Sequence, residues 1–214
     1  MSFANQLIEL TDKSRREAEK IPRMQKMLSG DFSEQKYLNF MKDLYPIVAN
    51  FCPIMAVAAG RCADQYDQVR LYLYDHIHEE KNHEKIVLQD ITSFGVSSAE
   101  VTNSALSEPV QAMLSFNYYL ALMKNPCSVL GMVYVLEVMS SVYAGKIADA
   151  IAAALDRNVS NGFSFLYSHS SVDLEHMAKL RQLFQSIGSP EVFAELVNSI
   201  KMNFYLFFQI LGRE

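Results

Sequence analysis

Two stretches of this chain repeat one spacing, and that spacing has structural meaning only on an α-helix. His76-Ile77-His78-Glu79-Glu80-Lys81-Asn82-His83 and His169-Ser170-Ser171-Val172-Asp173-Leu174-Glu175-His176 both read as His-x3-carboxylate-x2-His. Positions i, i+4 and i+7 fall in a narrow sector of a helix, so each stretch presents two imidazoles and a carboxylate on one side. Of the five histidines in the chain, four define these rows. The chain is therefore expected to fold into facing helices with a metal-binding centre between them.

At about 100° per residue, His76 and His83 lie roughly 20° apart, with Glu79 and Glu80 about 50° to either side. Phase leaves both glutamates open. The second row favours Glu80 as the ligand, because Asp173 stands at the equivalent position; Glu79 is then left to orient an imidazole or to shift onto a metal. A further carboxylate, Glu137, interrupts the uncharged run Val129-Leu130-Gly131-Met132-Val133-Tyr134-Val135-Leu136 and Val138-Met139. An ionised glutamate in such a helix costs several kcal/mol (order of magnitude) unless a cation or a hydrogen-bond network compensates it. Glu137 is thus expected to face the histidine rows. Ser140, Ser141 and Ala144 follow at i+3, i+4 and i+7, so small side chains should line a pocket on that face.

The remaining sequence agrees with an all-α fold. Apolar residues recur with the 3.6-residue period in almost every long segment, and no alternating strand or Asn-Gly hairpin stands out. The spacing predicts a helix from about Phe3 to Leu28, ending at Ser29-Gly30, and another N-capped by Ser33, with kinks or breaks at Pro46 and Pro53. A third should run from about Gln65 to Phe94-Gly95 and carry the first row. Ser97 to Glu100 resembles a capping box, and a helix should cover about Pro109 to Lys124. Asn125-Pro126 should open a helix through Leu155, Ser164 to Ile187 should carry the second row, and Ser189-Pro190 should start the last helix. Residues 1–214 read as one domain, since no linker or domain-sized repeat interrupts them and the apolar half of the chain suffices for one core.

Charge and cysteine content exclude several functions. A formal net charge of −5 and a pI near 5.6 argue against a nucleic-acid surface. Lys13, Arg15, Arg16, Lys20 and Arg23 cluster, but Asp12, Glu17 and Glu19 are interleaved, which reads as a solvated helix face. Cys52, Cys62 and Cys127 form no CxxC pair and are expected to be buried and reduced, not zinc ligands. The first residues lack a basic segment followed by an apolar one, and no transmembrane span is expected, so a cytoplasmic protein without membrane or nucleic-acid partners is anticipated.

His76, Glu80, His83, Glu137, His169, Asp173 and His176 give seven candidate ligands on three helices. That is too many for one ion. Imidazole and carboxylate without thiolate suit iron or manganese better than structural zinc, and Glu-x-x-His spacing, as in Glu80 to His83, is used by helical bundles to hold dinuclear iron.

Over nearly its whole length the chain resembles the heme-oxygenase-like diiron oxidases and oxygenases, often called iron-containing redox enzymes, within the heme-oxygenase and thiaminase-like fold. The resemblance is carried by His76 to His83 with Leu88-Gln-Asp-Ile91 and Gly95, by Tyr134-Val-Leu-Glu137, and most specifically by Ser168 to His176. It implies a bundle of about seven to eight helices. It also implies two Fe(II) ions, with dioxygen as co-substrate, held by Glu80, His83, Glu137, Asp173 and His176, with His169 as an additional ligand. Certain members carry glutamate where this chain has His76, and many draw a carboxylate from an earlier helix, where Asp43 is the only acidic residue between Tyr37 and Arg61. Heme is not expected, because no histidine precedes His76 and Glu137 lacks the following glycine-rich stretch. No cysteine is paired with a base as in thiaminase-type hydrolases.

Chemistry in the resembling family includes N-oxygenation, carbon–carbon cleavage and nitrile formation on amino acids, and oxidative decarboxylation of fatty acids. A small carboxylate-bearing substrate in a biosynthetic pathway is expected, with an amino acid, aromatic in view of the Phe- and Tyr-rich core, as the leading choice. Lys42, Arg61 and Arg16 are open as its anchors. The alternatives are a fatty-acid decarboxylase, a self-sacrificing aminobenzoate-type synthase, and, in another class, an iron storage or sensor protein. A homodimer is compatible with so apolar a helical domain.

Overall fold

Proline, asparagine and a wide helical turn interrupt the helices at places where apolar periodicity alone runs on. The computed structural model describes the backbone of residues 3–213 and the side chains of residues 7–169 and 176–213. α1 (Phe3–Ala18) and α2 (Pro22–Ser29) replace the single expected first helix. Pro22 lacks the N–H that would continue the hydrogen-bond ladder, so it begins a helix instead of prolonging one. Gly30, at φ 76°, ends α2 in the left-handed region.

α3 (Glu34–Gly60) is capped by Ser33, whose side chain accepts from the Lys36 N–H, and it continues past both Pro46 and Pro53, where kinks or breaks were expected, without a break. The burial of Met41, Ile47, Ile54 and Met55 along it supplies the packing that holds those turns in place. α4 (Asp67–Glu80) and α5 (His83–Thr92) replace one long expected helix; Asn82, at φ 72°, separates them. α6 (Ser98–Thr102) is capped by Ser97, which accepts from the Glu100 N–H, and α7 (Glu108–Met123) follows.

The expected helix from Asn125 to Leu155 is continuous but not uniform. Asn125 accepts from the Cys127 N–H and opens a 3-10 turn, Pro126–Val129; then come α8 (Leu130–Met139), a π-helical turn at Ser140–Ala144, and α9 (Gly145–Ala154). α10 (Ser164–Ser186) and α11 (Pro190–Leu211, capped by Ser189) complete the chain. With α8, the π turn and α9 taken together, the fold has ten helices, eight of them long, and no strands among the described residues.

α3 packs on α4, α5 and α7, while α10 lies across α5, α8, the π turn and α9. α11 closes the bundle against α7 and α8. Gly131 permits that last approach, since a Cβ there would lie 2.7 Å from Ser199 Cβ and 2.9 Å from the Ile200 nitrogen. Nearby, the buried amides of Asn117 and Asn203 bond each other at 2.7 and 3.2 Å, which satisfies polar groups that would otherwise oppose burial. Arg23 departs from the expected solvated face: it is buried, donates to the Ile210 and Lys36 carbonyls and lies over Phe32 and Phe40. Cys62 and Cys127 are buried, Cys52 is half-buried, and all three are free thiols. Glu34–Gly60 and Pro126–Ala154 are long and apolar enough to cross a membrane by length and composition, but 78% of the second one's apolar window is packed inside the fold.

Candidate metal centre

Four helices bring the two rows and Glu137 together. α4 carries His76 and Glu80 one turn apart, α5 begins with His83, α8 supplies Glu137, and α10 carries His169 and His176 two turns apart. The break at Lys81-Asn82 means that the first row does not present its three members on one helix face. It divides them instead. His76, Glu80, Glu137 and His176 form one group and Glu80, His83 and His169 a second, and in each group the ligand atoms lie within 4.8 Å of one another.

Glu80 belongs to both groups. Its Oε2 lies 2.7 Å from His83 Nδ1 and 3.7 Å from His169 Nε2, whereas its Oε1 lies 3.7 Å from His176 Nδ1. Glu137 Oε1 is 3.1 Å from His76 Nε2 and 3.2 Å from His176 Nδ1. His76, Glu80, Glu137, His169 and His176 are all buried, and His83 is half-buried. Asp173 lies on α10, but its side chain falls outside the described residues. Asp43, the carboxylate of α3, is not part of the centre: it accepts from Ser107 and pairs with Arg213.

The polar accounting fits a cation. His76 Nε2, Glu80 Oε1 and Glu137 Oε2 are buried without a hydrogen-bond partner, the 3.1 Å contact of His76 with Glu137 not being aligned as one. Buried polar groups are normally paired, and here three of the exceptions sit side by side. In the second group His169 Nδ1 faces the Phe165 carbonyl at 2.8 Å, which turns Nε2 toward His83 Nδ1 at 3.1 Å and Glu80 Oε2 at 3.7 Å.

Electrostatics agree. Burial opposes charge on Glu80, yet the imidazoles of His169 and His83 hold its carboxyl well below the usual carboxylate range. Burial likewise opposes ionisation of Glu137, and His176 and His76 lower it nonetheless. Burial would keep His176 neutral, but Glu137, Glu80 and Glu79 raise its pKa. The centre thus concentrates buried carboxylate charge that positive charge must balance.

Several supporting groups were not read from the sequence. Asp90 on α5 accepts from the backbone N–H groups of Ser164 and Phe165 at 3.1 and 2.8 Å and so fixes the start of α10, one turn before His169. Tyr72 stacks on His76 with centroids 5.4 Å apart, and Phe165 lies against His169 at 4.2 Å. These contacts join residues distant in sequence, or depend on ring orientation, so local spacing carries no signal for them. Glu79, the alternative from phase, lies behind the imidazoles: Oε2 is 3.3 Å from His176 Nε2 and 3.6 Å from His76 Nδ1, while Oε1 meets Lys179 Nζ at 2.8 Å. Lys179, three residues past His176, was the legible sign of that pair.

An apolar cavity reaches Glu80, Glu137 and His169 from the interior, walled by residues such as Met27, Leu44, Phe51 and Phe207. Ser140 and Ala144 line it as expected, but Ser141 does not; its hydroxyl donates to the Val138 carbonyl. The wider π turn changes the angular step after Met139, so the α-helical offset no longer predicts where residue 141 points.

No curated protein sequence matches the chain. Among solved structures, a domain of unknown function with a heme oxygenase-like fold from Shewanella denitrificans gives a TM-score of 0.88 at 20% identity, over 99% of this chain and 90% of that one. A TenA homologue from Pseudomonas syringae pv. tomato gives 0.85 at 16% identity, over 99% and 92%. Heme oxygenase-1 from the cyanobacterium Synechocystis, in complex with heme, gives 0.73 at 17% identity, over 99% and 91%. At such identities the likeness speaks for the fold, which is heme oxygenase-like. The sequence profile of the iron-containing redox enzymes matches residues 38–202, a span that includes every candidate ligand, and the chain therefore belongs to the iron-containing redox enzyme family.

Proposed function

We propose that the protein is an O2-dependent nonheme diiron oxidase or oxygenase acting on a small carboxylate-bearing substrate. The observation that carries this reading is the sharing of Glu80, whose two oxygens face two ligand groups. Such sharing suits a pair of ions joined by a carboxylate. Imidazole and carboxylate ligation without thiolate favours iron, in keeping with the family. Each of the four site histidines also has a carboxylate oxygen within 3.7 Å. That supports ions held by side chains over a porphyrin held by one imidazole.

His76, Glu80, Glu137 and His176 would hold one ion, and His83 and His169 the other with Glu80 between them; Asp173 is a further candidate. Two ferrous ions there would supply the electrons for reducing dioxygen. Glu79 and the Phe165 carbonyl keep the outer nitrogens of His176 and His169 engaged, so their inner nitrogens stay turned toward the centre. The apolar wall excludes water from the reacting end of a bound substrate.

Iron storage or sensing with the same ligands is the reading of another class. The apolar cavity against Glu80, Glu137 and His169 favours the enzyme, because holding iron requires no dry chamber. Anaerobic ferrous titration with iron counted per chain, followed by rapid mixing with oxygenated buffer, separates the two. About two irons per chain and an absorbance change whose decay is accelerated by an organic carboxylate support the proposal. Two irons with oxidation indifferent to every carboxylate tried would point to storage, and failure to bind iron would remove both readings.

A further inference from the structure

Arg23 is a buried cation that no carboxylate of the described residues reaches at ion-pair distance. It is 9% exposed, and its guanidinium donates to the Ile210 and Lys36 carbonyls at 3.3 and 3.4 Å and lies 5.7 Å from the Phe32 and Phe40 rings. Asp43, whose charge acts on it through space, is paired instead with Arg213 at 2.5 and 2.7 Å and accepts from the Ser107 hydroxyl at 2.9 Å. Burial pushes the Arg23 guanidinium below its ordinary pKa. Two long bonds to neutral carbonyls are weak compensation for a desolvated charge, and an anion at Arg23 would complete it.

There is room for one. Arg23 lines a cleft of about 460 Å³ between α2, α3, the segment after α6 and the end of α11, a volume in the range of small-molecule sites. Lys42 and Arg213 line it as well, and Asp43 is the one carboxylate in its wall among the described residues. Lys42 is bonded to Glu100 at 2.6 Å, but Glu100 is 56% exposed, so water screens that pair. With Glu100 counted, three cations stand against two carboxylates, and one positive charge is in excess. Pro46, Val101 and Leu106 supply apolar surface beside these charges. The cleft shares no lining residue with the cavity at the metal centre: Phe40 lines that cavity, and Arg23 lies against the Phe40 ring.

We propose that this cleft is a second ligand site, separate from the metal centre, for a small organic monoanion whose carboxylate meets Arg23 and whose apolar part lies against Pro46, Val101 and Leu106. A guanidinium suits a carboxylate because it can offer two parallel N–H groups. The single excess charge favours a monoanion over a phosphate-ester dianion, whose second charge would face Asp43 without a partner. Met24, Phe40, Leu44 and Leu211, on the same three helices, wall the apolar cavity, so a bound anion would tie α2, α3 and α11 together outside it. The site does not depend on iron.

The test is calorimetric titration of the full chain with benzoate at pH 8, on the anaerobic iron-loaded protein and again after iron is removed by chelation. Benzoate should saturate a site of equal affinity in both samples, and phenyl phosphate, a dianion at that pH, should bind it about fivefold more weakly or worse. Asp43→Asn should tighten benzoate by about threefold and phenyl phosphate by more, because it removes the opposing charge, whereas Lys42→Gln should weaken benzoate by about threefold. Arg23→Met should abolish binding; Lys42→Gln, at the surface, carries the test if that variant does not fold. Three results would overturn the inference: no benzoate binding to the iron-free protein, phenyl phosphate binding as tightly as benzoate, or an affinity that neither Asp43→Asn nor Lys42→Gln moves. Benzoate binding that disappears with the iron would place the carboxylate at the metal centre instead.

Discussion

Glu80 and His83 meet at 2.7 Å across a break in the helix that the sequence row was expected to form. The break turns His83 toward His169 while Glu80 also faces His176 and the Glu137 side of the centre. One carboxylate is thereby placed between two groups of ligands, which a straight helix would not have required.

Two ligand groups that share only Glu80 make different demands on substitution. His83→Ala or His169→Ala should lower iron content from about two to about one per chain, and His76→Ala or His176→Ala should do the same through the other group. Glu80→Ala should remove most of both. Elemental analysis after anaerobic reconstitution checks this, with circular dichroism to confirm that each variant is folded.

Glu79 touches the outer nitrogens of two site histidines and is itself held by Lys179. Glu79→Gln should weaken ferrous binding by about 10- to 100-fold without changing the final count at saturation, the usual scale for losing a group that orients metal ligands. Competition with a chromogenic chelator measures it. A fall in stoichiometry would instead make Glu79 a direct ligand.

The left-handed backbone at Asn82 is a position where side-chain shape should be felt. Asn82→Val should destabilise the metal-free protein by about 1–2 kcal/mol, whereas Asn82→Gly should be close to neutral. Urea unfolding provides the measurement. Asn82→Val should also reduce iron in the His83 group, because straightening α4 into α5 moves His83.

Stability should fall in alkali. Burial raises the thiol of Cys52 to about 11 and that of Cys127 to about 12, from 9.0, and raises the Tyr143 hydroxyl from 10.0 to about 12. Between these values the folded chain binds more protons than the unfolded one, so unfolding stability decreases as pH rises. It should be unaffected by these groups below about pH 8 and decline from about pH 9 onward, by about 1.4 kcal/mol per pH unit for each group ionised only in the unfolded chain. Thermal unfolding from pH 7.5 to 11 checks the direction. Thiol reagents at pH 8 should label the cysteines slowly until the protein unfolds.

Much of the architecture was legible because helix caps and breakers act locally. Ser33, Ser97, Asn125 and Ser189 each cap the helix that their position predicts. Pro22 was missed as a helix start, and Pro46 and Pro53 were expected to disturb α3, because the gain from burying a long apolar helix is not visible in a local window. The π turn was not legible either, and it is why Ser140 and Ala144 line the cavity and Ser141 does not.

By itself the sequence determined an all-helical chain and which imidazoles and carboxylates recur at helical spacing. Residue type and helical periodicity are sufficient for that, because both act within a few residues of chain. Only the tertiary structure decided how those ligands divide into two groups around Glu80, that Glu79 stands behind the histidines, and that the adjoining cavity is apolar. Those outcomes depend on the Asn82 break and on side chains from helices far apart in sequence, whose relative placement is set by packing of the whole bundle.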